Sequence, residues 1–159
     1  VKLGHSLSPE LSDAQKKALG GELRRKFLDA IPGLEPLIDA VKQKVRAIGR
    51  LRGLDGRPIF CKAEHASLNY LLQSAGAILS KRWVVIGQQM LDEAGLTYDT
   101  DYTRCAYVHD EVQLSVVPSE ADRVAQILEA AAPKAGEYYN FKLPITASAG
   151  KGETWADTH

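Results

Sequence analysis

An α+β fold with an antiparallel sheet is what three features of the sequence predict. Apolar residues recur at helical spacing in four stretches, two short runs alternate apolar with polar residues at strand spacing, and glycine, proline and Asp-Gly signals separate them. The length of 159 residues suits one domain, or one with a small appendage, and suffices to bury a core.

Taken in order, Ser8-Pro9-Glu10 reads as an N-cap followed by proline at the first helical position, and Ser12 or Asp13 offers a second start. The helix carries Leu19, Leu23, Phe27 and Leu28 to about Ala30, weakened at Gly20-Gly21. Pro32-Gly33 breaks it. A second helix from about Glu35 to Ile48 places Leu37, Ile38, Val41, Val45 and Ile48 on one face, and Gly49 ends it. The Asp55-Gly56 turn predicts a short hairpin leading into Ile59-Phe60.

From about Glu64 to Ala94, Leu68, Leu71, Leu72, Ala75, Ile78, Leu79, Trp83, Ile86 and Met90 predict one long, well-buried helix. His65, Asn69 and Gln73 fall at i, i+4 and i+8 along its first turns. After Gly95 and a polar link, strands are expected near Arg104 to His109 and Val112 to Val117, with His109-Asp110-Glu111 at the hairpin tip. Pro118-Ser119-Glu120 starts a further helix through Val124, Ile127, Leu128 and Ala131 that should stop near Pro133 to Gly136, and a last strand fits Phe141 to Thr146.

Formal charge cancels at 20 basic and 20 acidic residues, but unevenly along the chain. Lys42, Lys44, Arg46, Arg50, Arg52, Arg57 and Lys62 face only Asp55 within their window, whereas Asp92 to Glu137 is acidic. A basic segment followed by an acidic one suits a protein that grips phosphate with one part and holds metal with another. Cys61 and Cys105 have no CxxC spacing, and no apolar run is long enough for a secretory or membrane-spanning segment, which predicts a reducing, cytoplasmic setting without membrane partners. Zinc clusters, Ser-His-Asp triads and HExxH sites find no support in four scattered histidines. Gly150-Lys151-Gly152 fails the phosphate-loop pattern, with Ile145 at its first glycine and Gly152 at its Ser/Thr position.

Two constellations could carry chemistry. Asp110 and Glu111 are adjacent hard oxygen donors on a strand turn, suited to a divalent cation. His65, Asn69 and Gln73 bring amide and imidazole groups to one helical stripe, donors that read base edges without adding charge.

The order of Asp55-Gly56-Arg57, then the run from His65 through Asn69 and Gln73 to Ala77, then Val108-His109-Asp110-Glu111-Val112-Gln113, resembles the C-terminal end of family A (Pol I type) DNA polymerases, the phage replicative branch above all. The resemblance implies that residues 1–50 are the C-terminal part of the fingers subdomain and 51–159 the C-terminal part of the palm. It makes Asp110 a catalytic, metal-binding aspartate and Glu111 its less strictly required neighbour, with His65, Asn69, Gln73 and His109 following the primer-template minor groove. It further implies two Mg²⁺ ions per assembled site, with Mn²⁺ as an alternative, and primer-template DNA and a dNTP as partners. For a phage-encoded chain the setting would be the host cytoplasm.

No counterpart of the family's first catalytic aspartate or of its nucleotide-binding fingers helix can be matched. The expectation is therefore one piece of a polymerase, a split C-terminal subunit or a cleaved fragment, active only with an N-terminal polymerase chain carrying exonuclease, thumb and fingers parts. The alternatives are a non-catalytic DNA-binding or assembly subunit, and a metal phosphohydrolase using His109-Asp110 as an HD dyad.

Overall fold

The computed structural model describes residues 10–158. The predicted helix start at Ser8-Pro9 lies outside the described residues. The start at Ser12 is realised: Ser12 and Gln15 form a reciprocal capping box ahead of helix α1 (Asp13–Ala30), satisfying N-terminal amides that the helix cannot pair internally. Gly33 and Gly49 bracket helix α2 (Leu34–Ile48), both with positive φ (88° and 68°), and the Gly49 amide donates to the Val45 carbonyl at 2.7 Å. Strands β1 (Arg50–Arg52) and β2 (Pro58–Phe60) form a two-stranded sheet. Gly56 takes φ 86° in the loop between them, as its Asp-Gly signal requires.

The chain folds as two compact units. The first comprises the described residues up to Leu51 together with Phe60–Leu68, and the second Arg52–Ile59 with Asn69 onward. In the first, Val41, Val45 and Leu51 are buried. Arg46 meets Glu64 through two hydrogen bonds of 2.6 Å, a fork-to-fork pair that joins α2 to the 3₁₀ turn at Glu64–Ala66. The hydrogen bond from Arg46 holds the Glu64 carboxyl below its ordinary pKa of 4.5. A carboxyl depressed in the folded state stabilises above its unfolded pKa, and the contribution is lost as pH falls through the lower folded value. The stability difference between wild type and Glu64→Gln should therefore be present at neutral pH and close as the solution is acidified below about 4.5. Denaturant titrations of both proteins from pH 7 to pH 3 measure this; a gap independent of pH would contradict it.

Helix α3 (Ser67–Glu93) leads into the second unit, followed by strands β3 (Tyr102–Val108) and β4 (Glu111–Val116), which pair antiparallel, and helix α4 (Ala121–Tyr138). The core of this unit is Leu91, Leu96, Tyr102 and Val124, with Leu114, Val116, Ile127 and Leu128 packed against it. Gly87 lets α3 and α4 approach closely: a Cβ there would stand 2.7 Å from Leu128 Cδ2. Nearby, the Trp83 indole donates to the Leu128 carbonyl at 2.7 Å.

Four expectations are corrected. The long helix begins at Ser67, with Glu64–Ala66 as a 3₁₀ turn, so His65 precedes the α-helical stripe. The helix is also less covered than its apolar pattern suggests, with Leu72 60% and Val85 47% exposed. Helix α4 passes through Pro133 to Tyr138. Proline removes one backbone hydrogen bond there, at a cost of about 3 kcal/mol in an isolated helix, but Ala131, Ala132, Ala135 and Gly136 are all buried on its packed side and hold the helical path. Residues 141–146 form no strand. Asn140 turns the chain at φ 56°, the Phe141 amide returns to the Gly136 carbonyl, and Ile145 lies so close to Gly136 that a Cβ there would sit 2.8 Å from its Cγ1. The segment packs through that side chain, without ladder hydrogen bonds.

Candidate functional site

The β3–β4 hairpin is closed by the pair Val108↔Glu111, so its turn consists of His109 and Asp110 alone. A two-residue turn matching strand twist needs positive φ at its first central residue, and His109 supplies it at 55°. For a residue with a Cβ, the left-handed region costs about 1 kcal/mol or more, strain of a kind concentrated at functional sites. Both turn side chains are exposed. Glu111 is therefore not at the tip as expected: it is the first residue of β4 and half-buried, and the Gln113 amide, two residues on and hence on the same face, donates to its carboxylate. The two acids differ in setting, one projecting from a turn and the other held on a strand.

Lower in the hairpin, the register slips between Arg104 and Ala106, leaving Cys105 as the extra residue of a β-bulge. Arg104 donates to the Gln88 side-chain oxygen at 2.9 Å, while the Gln88 amide donates to Asp92 and to the Tyr102 hydroxyl. The root of the hairpin is thereby fixed to α3. Its tip meets the same helix at Ser80, whose hydroxyl lies 2.7 Å from the Tyr107 hydroxyl and 3.4 Å from the His109 carbonyl oxygen.

Asn69 and Gln73 are exposed, one turn apart on one face of α3. They precede Ser80 by 11 and 7 residues, roughly 16 and 10 Å along the axis at 1.5 Å per residue. His65 is exposed in the 3₁₀ turn of the first unit. Of the predicted site residues, Asn69 and Gln73 thus share a helical face, and His109, Asp110 and Glu111 lie consecutively around one turn. From the sequence, Tyr107 belongs to the stretch that carries the hairpin but has no site role, and Ser80 and Gln88 do not stand out. The available signal was a small hydroxyl at position 80, between the apolar stretch Ala77-Ile78-Leu79 and the basic pair Lys81-Arg82.

Among the described residues no group of three or more His, Cys, Asp and Glu side chains is arranged to hold a metal ion. Asp110 and Glu111 fit a hard divalent cation by donor chemistry but supply only part of a ligand set. The HD phosphohydrolase alternative fits poorly, since it needs further histidine and aspartate ligands around a helical dyad, and this His-Asp pair is in a strand turn. The basic window is partly neutralised: Lys42 pairs with Asp39, Arg46 with Glu64 and Arg57 with Asp55. Among the described residues no helix is long and apolar enough to cross a membrane.

The chain is similar to known proteins in sequence and in fold. The DNA-directed DNA polymerases of Enterobacteria phage T3 and Escherichia phage T7 are each 32% identical to the chain, over 90% of its length and 23% of theirs. DNA polymerase I of Aquifex aeolicus is 27% identical, over 98% of the chain and 26% of its own length. The chain therefore spans about a quarter of the length of these three relatives. In fold it is similar to the POL domain of Pol1 from M. smegmatis, solved in complex with DNA primer-template and dNTP, with a TM-score of 0.76, 21% identity, and coverage of 98% of this chain and 28% of that one. The family model for DNA polymerase family A matches residues 5–157, nearly the whole sequence, and the chain belongs to that family.

Proposed function

We propose that these residues are the C-terminal portion of a DNA-directed DNA polymerase, adding deoxynucleotides to a primer 3′ end under template direction. The observation that carries the reading is the exposed Asp110 on a two-residue, positive-φ turn, in a chain of family A. Residues 1–50 correspond to the end of the fingers and 51–159 to the C-terminal part of the palm.

In this reading Asp110 and Glu111 contribute carboxylates to a divalent-cation site, with Mg²⁺ the natural occupant and Mn²⁺ an alternative. The remaining ligands come from polymerase segments outside these residues, including the family's first catalytic aspartate. A bound cation pair would lower the charge cost at the nucleotide phosphates and at the attacking hydroxyl. Asp110 serves by projecting from a turn, where a phosphate-sized partner can approach it. Asn69 and Gln73 present neutral donors one helical turn apart, a spacing that lets both reach a minor groove whose acceptors are common to every base pair. His109 lies next to Asp110 at the same turn and is assigned to the duplex end, with His65 beside the groove-reading pair in sequence.

Mixing the chain with an N-terminal polymerase chain that carries the first catalytic aspartate and the nucleotide-binding fingers helix tests the proposal. Extension of a labelled primer should appear in the mixture and in neither component by itself. Extension by the 159-residue chain unaided would overturn the shared-site reading, and a mixture that binds primer-template without extending it would favour the assembly-subunit alternative.

A further inference from the structure

Asp110 is exposed, and an exposed carboxylate on a turn is not held by packing. A catalytic constellation nevertheless has to be kept within about 0.5 Å of its productive geometry by a supporting shell. The hydrogen bonds at Ser80 supply such a shell. Ser80 lies on α3 with only 8% of its surface exposed. Its single hydroxyl proton can be donated once. Given to the His109 carbonyl at 3.4 Å, it leaves Tyr107 as donor in the 2.7 Å contact, which makes a chain running Tyr107 O–H to Ser80 O–H to the His109 carbonyl. Hydrogen bonds linked in this way polarise and strengthen each other.

The carbonyl at the end of the chain belongs to the peptide that joins His109 to Asp110, so its orientation sets the direction of the Asp110 Cα and side chain. That peptide follows a residue at φ 55°, a conformation that costs a residue with a Cβ about 1 kcal/mol or more. The residues involved lie 27 and 29 positions apart in sequence, so helix and hairpin meet here through tertiary contacts, side chain to side chain at Tyr107 and side chain to backbone at His109.

We infer that Ser80, oriented by Tyr107, is a positioning residue for Asp110, clasping the turn to the helix that carries Asn69 and Gln73. The inference rests on the polymerase reading of Asp110. Through the clasp, the helix face assigned to the newly paired duplex and the carboxylate assigned to the reaction share one rigid element. Its loss should act on the rate of nucleotide addition and not on nucleotide or duplex binding.

The test uses the assembled polymerase with Ser80→Ala, Tyr107→Phe and the double variant, alongside Asp110→Ala. Ser80→Ala and Tyr107→Phe should each lower kcat for single-nucleotide addition about tenfold, with KM for the dNTP and Kd for primer-template within about twofold of wild type. The double variant should be no slower than Ser80→Ala, because both substitutions break one chain. Amide hydrogen exchange at Asp110 should be faster in Ser80→Ala than in wild type, a readout independent of activity. Tyr107→Phe, at an exposed position and nearly volume-conserving, keeps the test independent of any packing defect at Ser80. Wild-type kcat in both single variants, with Asp110→Ala inactive, would overturn the inference while leaving the polymerase reading in place. If Asp110→Ala instead retains full activity, that reading fails, and exchange decides the clasp alone: faster exchange supports it and unchanged exchange refutes it.

Discussion

Tyr102→Ala should destabilise the second compact unit by about 3–5 kcal/mol, the range for truncating a large aromatic side chain in a core. Tyr102 is 2% exposed and packs in the cluster of Leu91, Leu96 and Val124. Its ring also meets Tyr98 edge to face, with centroids 5.5 Å apart, an arrangement that adds to area burial alone. Three further features make the position unusually costly to empty. It opens β3, pairs with Val116 at the root of the hairpin, and receives a hydrogen bond from Gln88, which Arg104 and Asp92 hold in turn. Tyr102→Phe removes only the hydroxyl and should cost about 1 kcal/mol, since Gln88 keeps its other two partners. Denaturant unfolding of the two variants separates ring from hydroxyl. A loss below about 1 kcal/mol for Tyr102→Ala would show that the hairpin is not anchored through this ring.

What the sequence disclosed divides along the line between local and non-local physics. Capping at Ser12, the glycines bounding α2, the Asp-Gly turn and the apolar period of α3 are local signals, and each helix they imply is present. The same reasoning placed Tyr102 in a polar link, since its role as hairpin root depends on Leu91 and Val124, which are distant in sequence. It stopped α4 near Pro133 to Gly136 because the local cost of proline was legible and the buried alanine and glycine face that outweighs it was not. It read 141–146 as a strand, where the fold uses Ile145 to cover Gly136. At the candidate site, His109, Asp110 and Glu111 stood out by their neighbours and by their resemblance to a family motif, while the separation of the two acids between turn and strand required the Val108↔Glu111 register. Ser80 could not be connected to the site from sequence, because its partners lie almost 30 residues away.

The second large effect is expected at the turn itself. Asp110→Asn keeps the shape of the side chain and, at an exposed position, should leave stability within about 0.5 kcal/mol of wild type. It removes the negative charge that the proposed cation site needs. Charge stabilisation through such a site is worth several kcal/mol, and at about 1.4 kcal/mol per factor of ten the expected loss is about a thousandfold or more in the rate of nucleotide addition. Glu111→Gln should have a smaller effect, about tenfold, because Glu111 is half-buried on β4 and already receives the Gln113 amide. Duplex affinity should be unchanged in both, since neither carboxylate is assigned to hold DNA. The decisive measurement is single-turnover incorporation of the templated nucleotide by the assembled complex, wild type against Asp110→Asn, at equal amounts of bound primer-template. Wild type should extend every bound primer, while the variant leaves its primers bound and unextended over the same interval; incorporation by Asp110→Asn at the wild-type rate would contradict the assignment of this turn to the chemistry of polymerisation.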